Sequence, residues 1–257
     1  MTEAIELVRP PVDGPCAAAF TTRAGGVSRG PYASLNLAGT VEDRPQDVRA
    51  NRELVCGHLG IDAARVRIGT QVHGTQVHRI DPETIGAAFL DPRHRWPDGD
   101  GLISDQPGIA VGVFGADCLP VLLWRRDRAT VAAVHAGWRG LVDGILERAV
   151  DTLGGGSRLG AAVGAGIGPC CYPVSAEIRA RFAARFGPAV VCGEAVDLAA
   201  AASAALTARG VPASALWVLD SCTSCEADRW FSFRRDGAPT GRQAALIWPT
   251  AERLGPP

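Results

Sequence analysis

The chain has 257 residues and a formal net charge of −1, and its 26 basic residues are all arginine. A net charge this close to zero does not favour nucleic acid or an anionic membrane surface as a partner. The absence of lysine excludes a Walker-type phosphate lysine, a Schiff-base lysine and a lysine general base, so arginine is the only cation available to grip phosphate.

No targeting or membrane segment is visible in the sequence. No apolar run approaches the length of about 18 residues that a membrane helix needs, and residues 1–12 lack the apolar core of a signal peptide. We therefore expect a cytoplasmic protein whose 8 cysteines stay reduced. Because no internal repeat or linker stands out, we also expect one domain over residues 1–257, as a monomer or a weak homodimer.

The first predicted elements are a strand at residues 17–22 and a helix, separated by a loop rich in glycine and arginine. This loop, residues 23–30, is a candidate cradle for an anion, although a solvated turn explains the same residues. Asp43 and Pro45 are typical of a helix start, and Gly60 marks the end of the helix.

Strands are predicted next at residues 66–68 and 71–80, and the second contains two histidines. His73 and His78 lie five residues apart. In an extended chain they point to opposite faces, so they are not expected to bind the same ion.

Three short apolar runs, at residues 108–115, 121–124 and 130–134, predict buried strands. Cys118 follows the first run and His135 follows the third. Side chains at the carboxyl ends of strands line the ligand crevice in α/β folds. A histidine in this position can equally be a core residue that is hydrogen-bonded to a backbone carbonyl.

The rest of the chain alternates predicted helices with short strands. Helices are predicted at residues 141–153, 178–186 and 197–209, and strands at residues 161–163, 215–219 and 243–248.

Three metal-competent side chains, His73, Cys118 and His135, therefore fall at predicted strand ends. Two histidines and one cysteine are the donors of a catalytic zinc site with an open fourth position. No local spacing motif joins them, so three unrelated core residues remain an alternative at this point. The same donors suit copper, but a multicopper oxidase needs more histidines than the three that remain.

Cys222 and Cys225 have the CxxC spacing of thioredoxin-like redox sites. A redox pair of this kind opens an amphipathic helix. The residues that follow here, 226–233, alternate aromatic side chains and are predicted to be extended, which argues against the redox interpretation.

Five motifs resemble, in order, those of the YfiH family, which is also called the laccase-domain or polyphenol-oxidase family and has members described as peptidoglycan editing factors. They are TTRAGGVSRGPYASLNL at residues 21–37, QVHG at 71–74, ADCLP at 116–120, HAGWRG at 135–140 and FSFRRDG at 231–237. With the residues that follow, the matches run from residue 21 to about 247. The resemblance implies a single α/β (α+β) sandwich domain, with a mixed β-sheet core and helices packed on it.

The resemblance also implies a zinc ion held by His73, Cys118 and His135. The implied activity is purine nucleoside chemistry, namely phosphorolysis of adenosine, inosine, guanosine or methylthioadenosine, and deamination of adenosine. One departure stands out, because the family usually has a glutamate where this chain has Pro173.

Phosphorolysis needs a cationic contact for phosphate, which arginine must supply in this chain. We predict Arg23, Arg139 and Arg234 as that contact, in this order, with Asn36 as a further substrate-binding residue. Asp117 is predicted to carry a proton. Each charged residue could instead form a surface ion pair.

Other functions stay open on the sequence. Cys118 as nucleophile and His135 as base would make a Cys–His hydrolase acting on a cell-wall precursor, sensitive to alkylation and independent of metal. A copper polyphenol oxidase and a non-enzymatic metal-binding protein are the remaining alternatives.

Overall fold

The computed structural model describes residues 4–81 and 87–250. The strands are β1 (Leu7–Val8), β2 (Cys16–Thr21), β3 (Val66–Ile68), β4 (Val77–Arg79), β5 (Gly101–Ser104), β6 (Ala110–Gly115), β7 (Leu119–Arg125), β8 (Val131–Ala136), β9 (Leu159–Val163), β10 (Val191–Cys192), β11 (Ala195–Val196), β12 (Leu216–Val218) and β13 (Gln243–Pro249). The α-helices are α1 (Pro45–Leu59), α2 (Trp138–Asp143), α3 (Ile145–Thr152), α4 (Ala176–Phe186), α5 (Leu198–Ala208) and α6 (Phe233–Asp236).

Two mixed sheets carry the fold. One has the strand order β1-β2-β13-β6-β3 and the other the order β12-β9-β7-β8-β5-β4, while β10 and β11 form a separate hairpin. Each large sheet combines antiparallel pairs with parallel ones, such as β3 with β6 and β9 with β12.

Alternation of side chains along the strands builds the layers. In β13, Ala245 and Ile247 pack into the core between the two sheets, whereas Leu246 and Trp248 pack on the other side with Val55 of α1. Successive strand residues point to opposite faces, so apolar residues on both faces give a sheet that is buried on both sides.

The six-stranded sheet is buried in the same way. Leu122 and Trp124 of β7 face the other sheet, whereas Val121 and Leu123 pack against the layer formed by helices α2 to α5. The result is an α/β sandwich with helices on both outer faces, which confirms the predicted fold class. Within the described part of the chain, no helix combines the length and apolar character needed to span a bilayer.

Most predicted elements are present, but three predictions were wrong in detail. The helix predicted at residues 141–153 is two helices, because Gly144 adopts a left-handed conformation (φ 91°) and ends α2. The strand predicted at residues 71–80 is restricted to β4. Residues 226–233 do not form a strand: residues 227–229 form a turn, and the chain then leads into α6, which begins at Phe233.

Candidate metal centre and substrate cavity

Three side chains from distant parts of the chain form one group of donors. The candidate ligand atoms of His73, Cys118 and His135 all lie within 4.8 Å of one another. Cys118 directly precedes β7 and His135 lies in β8, and these two strands pair with Pro120 opposite His135. The strand ladder therefore fixes the positions of two donors, and the turn before β4 brings in the third.

A buried carboxylate that we did not predict, Asp100, orients this group. Its Oδ1 lies 2.8 Å from Nδ1 of His135, which donates its proton to it. The Asp100 carboxylate also accepts hydrogen bonds from the backbone N–H groups of Val72, His73 and Gly74, at 3.1, 3.0 and 2.7 Å. Because Nδ1 of His135 is engaged in this way, Nε2 is the nitrogen left to bind an ion.

These bonds also explain why His73 lies in a turn rather than in the predicted strand. His73 has a φ of 59°, a conformation that non-glycine residues rarely adopt. The Asp100 carboxylate takes the backbone N–H groups that a strand would have given to a neighbouring strand. The available sequence signal was an acidic residue flanked by Gly99 and Gly101 directly before a strand.

Cys118 and His135 perturb each other strongly. Burial would raise the pKa of the Cys118 thiol, but the charge of His135 and hydrogen bonds from His135 and His73 outweigh it and lower this pKa to about 6. Burial would lower the pKa of His135, but the Cys118 thiolate and the Asp100 carboxylate raise it to about 9. At neutral pH and without a metal ion, these shifts favour a thiolate next to an imidazolium.

The donors fit a metal ion in both chemistry and space. Two imidazoles and a thiolate are a catalytic zinc donor set, and the His135–Asp100 bond is a common support for a metal-binding histidine. A Cβ at Gly137 would lie 3.0 Å from Cδ2 of His73 and 3.1 Å from Sγ of Cys118. Glycine at this position therefore keeps space beside the three donors that any other side chain would fill.

The centre opens into a cavity of about 560 Å³, within the range of small-molecule sites. Its wall combines aromatic rings with arginines: Phe89, Trp96, Phe114, Tyr172 and Phe233, and Arg52, Arg95, Arg234 and Arg242. Flat rings suit a planar base, and guanidinium groups suit an anion.

The three predicted arginines have different positions. Arg234 lines the cavity, where it stacks on Tyr172 with 4.7 Å between the guanidinium carbon and the ring centroid. Its NH1 donates to the backbone oxygen of Pro173 at 3.1 Å.

Arg23 and Arg139 lie outside the cavity lining. The Arg23 guanidinium donates hydrogen bonds to the backbone carbonyls of Ala33 and Ala227. These bonds hold a loop in place. Arg139 is exposed and stacks on Trp138 at 4.6 Å. Arg242 and Arg95 line the cavity and were missed, since nothing in their local sequence separates them from other arginines.

Asp117 and Asn36 also differ. Asp117 lines the cavity, and its carboxylate accepts hydrogen bonds from Thr223 Oγ1 at 2.7 Å and from the backbone N–H of Arg234 at 2.6 Å. Asn36 is fully buried, and its amide bonds to Ala38, Asp43 and the backbone N–H of Arg242. It thus supports the loop behind the wall and does not face the cavity.

The chain is similar to known proteins in both sequence and structure over nearly its whole length. A purine nucleoside phosphorylase, ORF3, of Streptomyces griseus is 38% identical over 246 residues, which are 93% of this chain and 96% of that protein. The crystal structure of YlmD from Geobacillus stearothermophilus has a TM-score of 0.86 and 32% identity, and covers 98% of both chains. The structure of the hypothetical protein YfiH from Bacillus licheniformis has a TM-score of 0.84 and 29% identity, and covers 91% of this chain and 92% of that one.

The family model described as multi-copper polyphenol oxidoreductase laccase matches residues 17–250. The match contains all three donors, Asp100 and the cavity arginines. The chain therefore belongs to this laccase-domain family, the one that its five motifs resemble.

Proposed function

We propose that this chain is a zinc-dependent purine nucleoside phosphorylase that accepts adenosine, inosine, guanosine and methylthioadenosine, and that it also deaminates adenosine. The observation that carries the proposal is the position of the His73, Cys118 and His135 donors, which open into a cavity lined by both aromatic rings and arginines. The names of the relatives support the nucleoside part of the proposal.

In phosphorolysis, a phosphate oxygen forms a bond to C1′ of the ribose while the bond from C1′ to the purine nitrogen breaks, and the purine leaves with a proton. We propose that Arg234 and Arg242 hold the phosphate and that Tyr172 and Phe233 contact the base. Asp117 is the proposed proton carrier because its carboxylate lies in the wall next to Cys118. The hydrogen bonds from Thr223 and Arg234 fix the direction in which this carboxylate points.

Zinc held by three protein ligands supplies Lewis-acid chemistry at its open position. We propose zinc rather than copper because none of the chain's other three histidines belongs to the group of donors, although His94 lines the same cavity. His58 is exposed on α1, His78 bonds to the backbone oxygen of Asp98, and His94 contacts the Trp96 ring edge-on.

The direct test is to purify the protein, measure its metal content, and incubate it with inosine and adenosine, each with and without phosphate. We expect ribose 1-phosphate and free base to appear in a phosphate-dependent way, inosine to form from adenosine without phosphate, and a chelator to abolish both reactions. If His135→Ala retains the full zinc content and the full turnover of the unchanged chain, the proposal is wrong.

A second candidate is favoured by the Cys118–His135 pair, which resembles the activated pair of a Cys–His hydrolase. In the same experiment, activity that survives the chelator but is lost on alkylation of Cys118 would support this candidate.

A further inference from the structure

A second group of metal-competent side chains lies outside the centre described above. It consists of Cys170, Cys171, Cys222 and Cys225, and we call it the four-cysteine cluster. The four sulfur atoms all lie within 4.8 Å of one another. Cys225 Sγ lies 3.5 Å from Cys170 Sγ and 3.4 Å from Cys171 Sγ.

These distances distinguish between three uses of clustered cysteines. A disulfide has a sulfur–sulfur distance of about 2.05 Å, much shorter than the contacts observed. Apolar packing is a poor explanation, because Cys170 and Cys225 are exposed. Four thiolates at about 2.3 Å from a tetrahedral zinc lie roughly 3.8 Å from one another, which falls within the range observed here.

The backbone around the cluster is arranged to support it. Gly168 N–H donates to Cys222 Sγ at 3.2 Å, as expected for a sulfur that carries negative charge. A Cβ at Gly168 would lie 3.3 Å from Cys170 Sγ and 3.4 Å from Cys222 Sγ, so a side chain here would crowd two of the sulfurs. A backbone bridge between Gly166 and Cys222 joins the two loops that supply the cysteines.

We propose that the four-cysteine cluster is a structural zinc site, separate from the His73, Cys118 and His135 centre. Four thiolates complete a tetrahedral shell and leave no position for water or substrate, so the site would bind the ion without acting on a substrate. Zinc binds the cysteines as thiolates, so binding releases the protons of those that are still thiols, and no electron is transferred.

The position of the cluster gives this zinc a consequence for the cavity. Cys171 is followed by Tyr172, which lines the cavity, and Cys222 is followed by Thr223, whose hydroxyl group holds Asp117. The ion would clamp together the two loops that carry these residues. Loss of the ion should therefore loosen one wall of the cavity while leaving the three donors of the other centre in place.

The test uses the full chain purified under reducing conditions and loaded with zinc. A variant that combines His73→Ala with His135→Ala removes two donors of the other centre. We expect it to retain about one zinc per chain, with about four sulfur neighbours in X-ray absorption spectra. Adding Cys222→Ser should remove this zinc, whereas adding Cys192→Ser, which changes an exposed thiol outside the cluster, should not.

Loss of all zinc from the double-histidine variant, or a zinc ion with two or fewer sulfur neighbours, would overturn the proposal. A disulfide within the cluster of the zinc-loaded protein, seen as a mass about 2 Da lower per bond, would overturn it in favour of a redox pair. Because Cys222→Ser could unfold the chain, cobalt titration of the unchanged sequence provides an independent measurement. The absorption bands of a four-thiolate cobalt site are expected, and their absence would count against the proposal. None of these measurements depends on nucleoside turnover.

Discussion

The two groups of metal-competent side chains differ in composition and surroundings, and these differences indicate different roles. His73, Cys118 and His135 combine nitrogen and sulfur donors, lie beside a strand ladder and open into a cavity. The four-cysteine cluster offers sulfur alone, lies in two loops joined by a backbone bridge, and has two exposed members.

Their electrostatic surroundings differ as well. His135 and His73 lower the pKa of Cys118 against the effect of burial. Hydrogen bonds with Cys171, Cys170 and Cys222 raise the pKa of Cys225. A cationic neighbour thus favours the thiolate of Cys118 without any metal, whereas neighbouring thiols favour the protonated form of Cys225. The neighbours of a donor therefore indicate its role better than its residue type does.

Loss of a donor from the open centre should have the largest effect. We expect His135→Ala to lower kcat/KM for inosine phosphorolysis by about 10³-fold, because a metal ion contributes several kcal/mol to stabilising the transition state. Steady-state kinetics with measured zinc content checks this. Cys192→Ser is the control, and an equal loss in that variant would show that the assay reports general damage.

Asp100→Asn should have the next largest effect, since Asp100 fixes the ring of His135 and the turn that carries His73. We expect zinc affinity and activity to fall by about 10- to 100-fold, as is usual when a carboxylate that supports a metal ligand is changed. Competition with a chromogenic chelator measures the affinity. The exposed neighbour Asp98 provides the control variant Asp98→Asn, and equal effects at both positions would contradict the role we give to Asp100.

Alkylation should distinguish Cys118 from Cys225 in protein stripped of metal. With its pKa lowered to about 6, Cys118 is mostly thiolate at pH 7, and its reaction with iodoacetamide should slow as the pH falls through about 6. Cys225 has a raised pKa and should stay largely protonated at pH 7 although it is exposed. We expect Cys118 to react at least about tenfold faster. Peptide mass spectrometry measures the two rates, and faster reaction of Cys225 would contradict the assignment of Cys118 as the activated thiol.

The smallest expected effect concerns the cavity arginines. Arg234→Gln should raise KM for phosphate by about tenfold, because it removes one charge-assisted contact. Arg139→Gln is the matched control, since Arg139 stacks on Trp138 outside the cavity lining. A larger effect from Arg139→Gln would restore the order of arginines expected from the sequence.

The grouping of His73, Cys118 and His135 and much of the secondary structure could be predicted from the sequence, because short contiguous motifs and apolar runs carry the signal. Apolar runs mark strands such as β8. His73, Cys118 and His135 each lie within a short motif of consecutive residues. The end of α2 at Gly144 was not predicted, because the apolar pattern of a helix continues on both sides of this glycine.

The parts that could not be predicted depend on contacts between distant segments. The role of Asp100 arises from bonds to residues 26 to 35 positions away. Arg23 and Arg234 look alike in sequence, yet one holds a loop and the other lines the cavity. The CxxC pair gave no indication of its partners, because Cys170 and Cys171 reach it through the fold alone.

Gly137 adds a consequence for how the open centre can be manipulated. Its φ of −73° and ψ of 166° are ordinary for any residue, so the backbone itself would accept alanine. The added methyl group would instead compete with an ion for the space next to His73 and Cys118. Gly137→Ala should therefore yield a folded chain that keeps His73, Cys118 and His135 but binds metal weakly at this centre. The variant would show what the three ligands do when the ion is absent.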